Sequence, residues 1–255
     1  MDYEILSIST VSSTQKYVKE RCHGWDRKKI TFVSADEQTQ GQGTKGTSWH
    51  SPQGQNLYVS AYFSSKKGEI PPQLIGQMTT LSITKVLESK EVFPKIKWPN
   101  DLLIEGKKCG GVLVELLEEP TLWHFIVGFG LNISMGEQDL SKIPQAATSL
   151  EMITQRSWNK QELLYEIVIM LTRDLGEMRT KGASSILPEL KKRLCYLGKT
   201  VVFDDGKTKH RGRFVGVSSR GGFLLQKTPK YSVTKEERAL EEFFSGKVTQ
   251  IDLQE

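Results

Sequence analysis

The sequence predicts an α+β chain, with a mainly antiparallel mixed sheet and helices followed by a small β-barrel. Three observations predict it. Short apolar runs separated by turn residues crowd positions 30–127, two segments carry helical spacing, and past Cys195 only short strands with glycine turns follow. The 255 residues can bury a substantial core and fit one medium domain, placed at 1–194, and one small one, placed at 195–255.

Each element has a local reason. Ser12, Ser13 and Thr14 offer hydroxyls to the unpaired N–H groups of a first helical turn, so a helix runs from there towards Cys22. Ile30 to Ser34 reads as a buried strand. Asp36 to Gln55 is polar and glycine-rich, too long for a tight turn, and loops of that length in compact domains carry function or disorder. Asn56 to Phe63 alternates as a strand does. After Pro71-Pro72, the residues Leu74, Ile75, Met78 and Leu81 take the spacing of an amphipathic helix. Four short strands follow at Ile96–Trp98, Leu102–Glu105, Val112–Leu117 and Phe125–Val127, divided by turn-forming runs. Asn159 with Glu162 starts a helix whose apolar face, Leu163 to Leu175, lasts towards Gly182. Strands at Thr200–Phe203, Arg213–Val217, Phe223–Gln226 and Lys247–Leu253, with turns at Asp205-Gly206 and Arg220-Gly221-Gly222, make the barrel.

Composition excludes several classes. Charged residues are 25% and hydrophobic residues 37%, ordinary globular usage that argues against extensive disorder. The start, Met1-Asp2-Tyr3-Glu4, lacks a secretory pattern, and no apolar run is long enough for a bilayer, so a cytoplasmic protein without membrane partners is expected. Cys22, Cys109 and Cys195 are too few and too scattered for a zinc site or a disulfide framework. A net charge of +5 suits nucleotide phosphates, an acidic partner or nucleic acid and does not choose among them.

Four segments carry candidate chemistry. The loop Gln38 to Trp49 places Gly41, Gly43 and Gly46 where backbone N–H groups can approach an anion; alone it reads more readily as a flexible connector. Trp49 is either a loop anchor or a plate for a base. Lys97-Trp98-Pro99-Asn100-Asp101 sets a cation and a carboxylate at a strand mouth, a pairing that suits phosphates and magnesium; alone it reads more readily as a surface ion pair on a turn. In Lys107-Lys108-Cys109-Gly110-Gly111-Val112 one lysine can point inward beside two glycines, and an inward lysine needs a carboxylate from the protein or a ligand. Asn132, ending Gly128-Phe129-Gly130-Leu131-Asn132, is a ligand contact or a turn closure.

Taken together and in order, Ser13-Thr14-Gln15, the Gln38–Trp49 loop, the Lys97–Asp101 run, Lys108 to Glu115 and Gly128 to Asn132 resemble the successive motifs of biotin protein ligases. The resemblance covers nearly the whole first domain and is most specific at KWPND and GGVLVE. It implies a class II synthetase-like catalytic domain with an SH3-like C-terminal barrel. It further implies an enzyme that forms biotinyl-5′-AMP from biotin and ATP with Mg2+, then biotinylates a lysine of a biotin carboxyl carrier protein, with a homodimer possible. Ser13, Thr14, Gln15 and Gln38 would meet the ring end of biotin; Gly41, Gln42, Gly43 and Thr44 would line its chain and carboxylate; Gly111 and Gly128 would leave it room. Lys108, Lys97 and Asp101 would be catalytic, with Lys108 between biotin's carboxylate and the α-phosphate and Asp101 on magnesium. Trp49, Asn100 and Asn132 would hold the adenylate.

One departure stands out. Where many members have a GRGRxGR-like run, this chain has Gln42, Thr44 and Thr47 and keeps only Lys45 as a cation. Charge-assisted bonds are roughly twice as strong as neutral ones, so looser retention of the adenylate is expected. A lipoate or octanoate ligase or transferase is the neighbouring alternative, but its RRxSGGGxV-type run is absent. A nucleic-acid-binding module is the alternative from another class, carried by Lys207, Lys209, His210, Arg211 and Arg213. Ser13 lies so near the start that an N-terminal DNA-binding domain is not expected.

Overall fold

A computed structural model describes residues 1–227 and 239–250. In chain order the elements are β1 (Tyr3–Val11), α1 (Thr14–Arg21), β2 (Ile30–Gln38), β3 (Asn56–Lys66), α2 (Pro72–Glu88), β4 (Lys95–Lys97), β5 (Asp101–Ile104), β6 (Lys107–Glu118) and β7 (Leu122–Asn132). Then come α3 (Glu137–Leu140), α4 (Leu150–Thr154), α5 (Lys160–Lys181) and α6 (Leu187–Arg193). The last strands are β8 (Thr200–Asp204), β9 (Lys209–Val217), β10 (Phe223–Lys227), β11 (Leu240–Phe243) and β12 (Lys247–Gln250).

The first sheet has seven strands in the order β1-β2-β3-β7-β6-β5-β4, and every pairing is antiparallel except β1 with β2. This is the mixed, mainly antiparallel sheet expected. The strand β1 was not expected: it lies at the edge, mostly exposed or half-buried, so its apolar pattern is weak. β3 sits centrally and is buried from Asn56 to Ser65, covered on both faces. Leu57, Val59, Ala61 and Phe63 join the main core with α2 and α5, while Tyr62 packs with Val18 and Cys22 near α1.

The expected helix starts hold. Ser13 caps α1, its hydroxyl accepting from Lys16 N at 3.5 Å, and Asn159 Oδ1 accepts from Gln161 N and Glu162 N at 3.1 Å to cap α5. α2 is buried on nearly all sides, and its Thr79, Thr80 and Thr84 hydroxyls are satisfied by carbonyls three or four residues back.

Past Leu194 the chain forms a five-stranded antiparallel sheet, β11-β10-β9-β8-β12, which fits an SH3-like domain. The end strands β11 and β12 do not pair with each other among the described residues, and Ile251–Leu253 of the expected last strand lie outside them. This sheet is seated on the first unit through Trp98, whose ring lies 5.7 Å from Phe203 and 5.4 Å from Phe223. Gly221 O accepts from both Trp98 Nε1 (3.1 Å) and Gln77 Nε2 (2.8 Å). At Gly221, φ is 86° and a Cβ would crowd the backbone of Gln73 at 3.0 Å, so the turn and the seat both call for glycine.

Candidate functional site

A cleft of about 1040 Å³ opens along the ends of β6 and β7 and is roofed partly by residues 244–249 of the second sheet. Ligand pockets commonly measure roughly 300–1,000 Å³, so two substrates can lie side by side here. Every residue given a role in biotin or nucleotide binding lines it except Gly41, and Gly46 of the glycine-rich loop also stays outside.

Its floor is a closed polar network. Gln38 Oε1 accepts from Thr14 N at 2.8 Å, and Thr14 Oγ1 lies 3.1 Å from Gln38 Oε1 and 2.8 Å from Ser60 Oγ. Ser60 donates to Gln15 Oε1 (3.0 Å), Gln15 Nε2 donates to Ile126 O (3.0 Å), and Gln38 Nε2 donates to Ser51 Oγ (3.0 Å). Gln15 therefore spends both ends of its amide on the protein. Gly128 does not simply leave room for a ligand: a Cβ there would fall 2.6 Å from Gln15 Oε1, so the missing side chain admits that amide.

The glycine-rich segment is folded back on itself. Gln42 bridges Ser48, Gly43 N donates to Thr47 O at 2.7 Å, and Trp49 N donates to Gly41 O at 2.9 Å, with Lys45 and Gly46 at φ 56° and 75° making the turn. A Cβ on Gly41 would come within 2.4 Å of Trp49 O, and one on Gly43 within 2.6 Å of Thr47 Oγ1. These two glycines are needed first for the loop's own packing, which is why Gly41 stays out of the cleft wall.

Trp49 enters the cleft from that loop and lies over β7 and β6. A Cβ on Gly130 would reach 2.4 Å from its indole and one on Gly111 3.3 Å, so both glycines seat the ring. At Gly111 the space is shared with Lys108, whose Cε also lies 3.2 Å from that position. Trp49 Nε1 is buried without a hydrogen-bond partner among the described residues.

Lys108 is inward, as its surroundings demand. Its Nζ lies 2.6 Å from Asp101 Oδ1 and 5.3 Å from the Trp49 ring centroid. The backbone beneath it is clamped by the segment after β7, with Lys108 N donating to Ala146 O and Thr148 N to Lys108 O, both at 2.9 Å. Asp101 is brought opposite by the β5–β6 pairing, which sets it across from Gly111. Lys97 lines the cleft half-buried and makes no ion pair among the described residues. Asn100 lines the cleft and also fastens the turn to β6: its side-chain amide donates a short bond to Val112 O, and Val112 N donates to Asn100 O at 3.0 Å.

Asn132 is buried, with Nδ2 donating to Thr148 O at 3.1 Å and Oδ1 unpartnered among the described residues. Beside it Cys109 is fully buried, and burial pushes its thiol up to about 12, which makes it a packing residue. Among the described residues, Asp101 is the only carboxylate lining the cleft, and no cluster of three or more His, Cys, Asp or Glu exists. That donor set cannot cage a metal, though it fits a magnesium ion that arrives on phosphates and takes one carboxylate.

Two walls escaped the sequence reading. Lys142, Ile143, Pro144, Gln145 and Ala147 form one, and Phe244 to Thr249 the other. The polar run after Asn132 was a usable signal, being as long as the glycine-rich loop. The second wall had none, because it depends on how the two sheets meet.

Residues 7–132 match the model of the Biotin/lipoate A/B protein ligase family. The Bifunctional ligase/repressor BirA of Bacillus spizizenii is 27% identical over 232 residues, covering 89% of this chain and 70% of that protein. The Biotin--[acetyl-CoA-carboxylase] ligase of Paracoccus denitrificans is 26% identical over 222 residues, covering 84% and 90%. Among solved structures, the biotin protein ligase from Aquifex aeolicus in complex with biotin and ATP superposes with a TM-score of 0.78 at 29% identity, covering 96% and 97%. A point mutant of that Aquifex aeolicus enzyme in complex with biotin gives 0.76 at 30% identity, again covering 96% and 97%.

Proposed function

The chain belongs to the biotin protein ligases, and from that membership we propose that its ATP-dependent joining of biotin to acceptor proteins is centred on Lys108. The observation that carries this reading is the Lys108–Asp101 pair, 2.6 Å apart under Trp49, which brings a cation and a carboxylate together inside the cleft.

A carboxylate repels nucleophiles, so it must first become a mixed anhydride. A biotin carboxylate oxygen attacks the α-phosphorus of ATP, the new O–P bond replaces the bond to pyrophosphate, and biotinyl-5′-AMP results. Negative charge grows on the α-phosphate oxygens as this happens. The Lys108 ammonium is largely shielded from water, where a fixed charge counts for more, and Lys97 adds a second cation. Asp101 keeps Lys108 aimed until substrate arrives and would hold the magnesium that accompanies the phosphates, whose chemistry is charge screening. Trp49 offers its face to the adenine, and the Asn132 Oδ1 left unpaired offers an acceptor. Ser13, Thr14 and the Gln15–Gln38 network shape the ring end of the biotin site.

In the second half an acceptor lysine amine attacks the acyl carbon, an amide forms, and AMP leaves. The acceptor is the lysine of a biotin carboxyl carrier protein. Residues 1–194 are the catalytic unit and 195–255 the small second unit, whose described residues 244–249 contribute one rim. The test is direct: the full chain is incubated with ATP, magnesium, biotin and an apo carrier domain, and the carrier is weighed. A gain of one biotinyl group that requires ATP supports the reading, while labelling with lipoate in place of biotin, or none at all, defeats it.

A further inference from the structure

A second carboxylate, outside the cleft wall and outside every motif read from the sequence, ties the two flanks of the cleft together. Asp139 lies in the short helix α3 with its side chain 19% exposed. Its Oδ2 accepts from Gln55 Nε2 at 2.9 Å, its Oδ1 accepts from Lys142 Nζ at 2.8 Å, and Oδ1 stands 3.4 Å from His50 Nε2.

These partners come from different places. His50 directly follows Trp49, the ring seated on Gly111 and Gly130; Gln55 is where the same loop enters β3; Lys142 belongs to the wall formed by residues 142–147. Backbone bonds run alongside, with Ser134 N and Ser134 Oγ both donating to Gln55 O at 2.9 and 2.8 Å. The far end of the 142–147 wall carries Ala146 O and Thr148 N, the two groups that grip Lys108. One carboxylate thus couples the loop that bears Trp49 to the segment that holds Lys108.

We propose that Asp139 is a positioning residue for retention of the acyl-adenylate: it latches the segment after β7 to the exit of the glycine-rich loop, and so sets how tightly the two walls close on the nucleotide. The proposal rests on the ligase reading for its ligand. It does not need Asp139 to touch substrate. Because the contacts are charge-assisted and near the surface, losing them loosens the walls while leaving the apolar core in place.

Asp139→Ala and Asp139→Asn separate charge from shape, because asparagine keeps an acceptor for Gln55 but cannot pair with Lys142. Release of preformed biotinyl-5′-AMP, followed by rapid filtration, is expected to quicken by about tenfold in D139A and about threefold in D139N, the scale of one charge-assisted contact. The saturating rate of pyrophosphate exchange should stay within about twofold, so that KM for ATP moves and kcat does not. Amide hydrogen exchange of the unliganded protein should rise together at 50–55 and 134–148 in D139A. Wild-type release and wild-type exchange in D139A would overturn the proposal. If D139A does not fold, D139N decides by the same two measurements. If the wild type forms no adenylate, the ligase reading falls, and the exchange experiment still decides whether Asp139 latches the two segments.

Discussion

The ammonium of Lys108 and the carboxylate of Asp101 meet at 2.6 Å across the β5–β6 hairpin, each no more than 25% exposed. A buried charge without a partner is expensive, so the carboxylate holds the lysine in place until an anionic substrate offers a second partner.

Lys108→Gln removes the charge and keeps a polar, hydrogen-bonding end, one atom shorter. Carrier biotinylation should fall by about 10²–10³-fold, the usual size of losing a preorganised electrostatic group, with the melting temperature little changed. Single-turnover formation of biotinyl-5′-AMP is the measurement. Undiminished turnover in a folded K108Q protein would remove Lys108 from the mechanism.

Gly130→Ala places a methyl group where the Trp49 indole now sits, at a 2.4 Å approach that no side chain tolerates. The ring must move. Overpacking of this kind costs about 1–3 kcal/mol, so a lower melting temperature is expected together with a shift in tryptophan emission and a raised KM for ATP. Wild-type nucleotide affinity in G130A would show that Trp49 does not cover the nucleotide.

Thr44→Arg restores a cation to the glycine-rich loop. Thr44 gives its carbonyl to Thr47 N at 3.2 Å and Thr47 Oγ1 at 2.9 Å, and both bonds survive the change because they use only backbone at position 44. Release of the adenylate should slow by about tenfold. Rapid filtration with labelled biotin measures it, and unchanged release would discard the link between the missing arginines and retention.

Asp139 also predicts a pH effect. Lys142, Gln55 and His50, in that order of contact, hold its carboxyl at about 2, below the usual carboxylate range. A depressed pKa stabilises the fold at pH above the unfolded value, about 3.9, and that contribution disappears as pH drops through about 2. Thermal melts of wild type should therefore fall more steeply than those of D139N between about pH 4 and about pH 2. Parallel curves would mean that the carboxylate is not engaged in solution.

Much of this was legible in the sequence, for physical reasons that differ by residue. Asn159 and Ser13 could be read as caps because capping is settled within three residues, and Asp205-Gly206 could be read as a turn for the same reason. That one lysine of Lys107-Lys108 can point inward beside Gly110-Gly111 could be read from the residues, and the resemblance singled out Lys108. Its protein carboxylate, Asp101, comes from the neighbouring strand, and only the register reveals it.

What could not be read depends on distant partners. β1 is an edge strand whose half-exposed residues blur the alternation, and it pairs with β2 in parallel, without a local hairpin to announce it. Gly128 looked like space for a ligand until Gln15, more than a hundred residues away, filled it. Asp139 draws its meaning from His50 and Gln55, separated from it by more than eighty residues.

The seat formed by Gly221 against Trp98 and Gln77 bears on how this chain can be shortened. Val201, Phe203, Phe214, Phe223, Leu225 and Val248 share one apolar cluster with Trp98, itself only 3% exposed. A fragment cut near residue 194 would lay that indole and its surroundings open to water and strip residues 244–249 from the wall of the cleft. It would emerge with that apolar surface exposed, an argument for keeping the second sheet in any fusion.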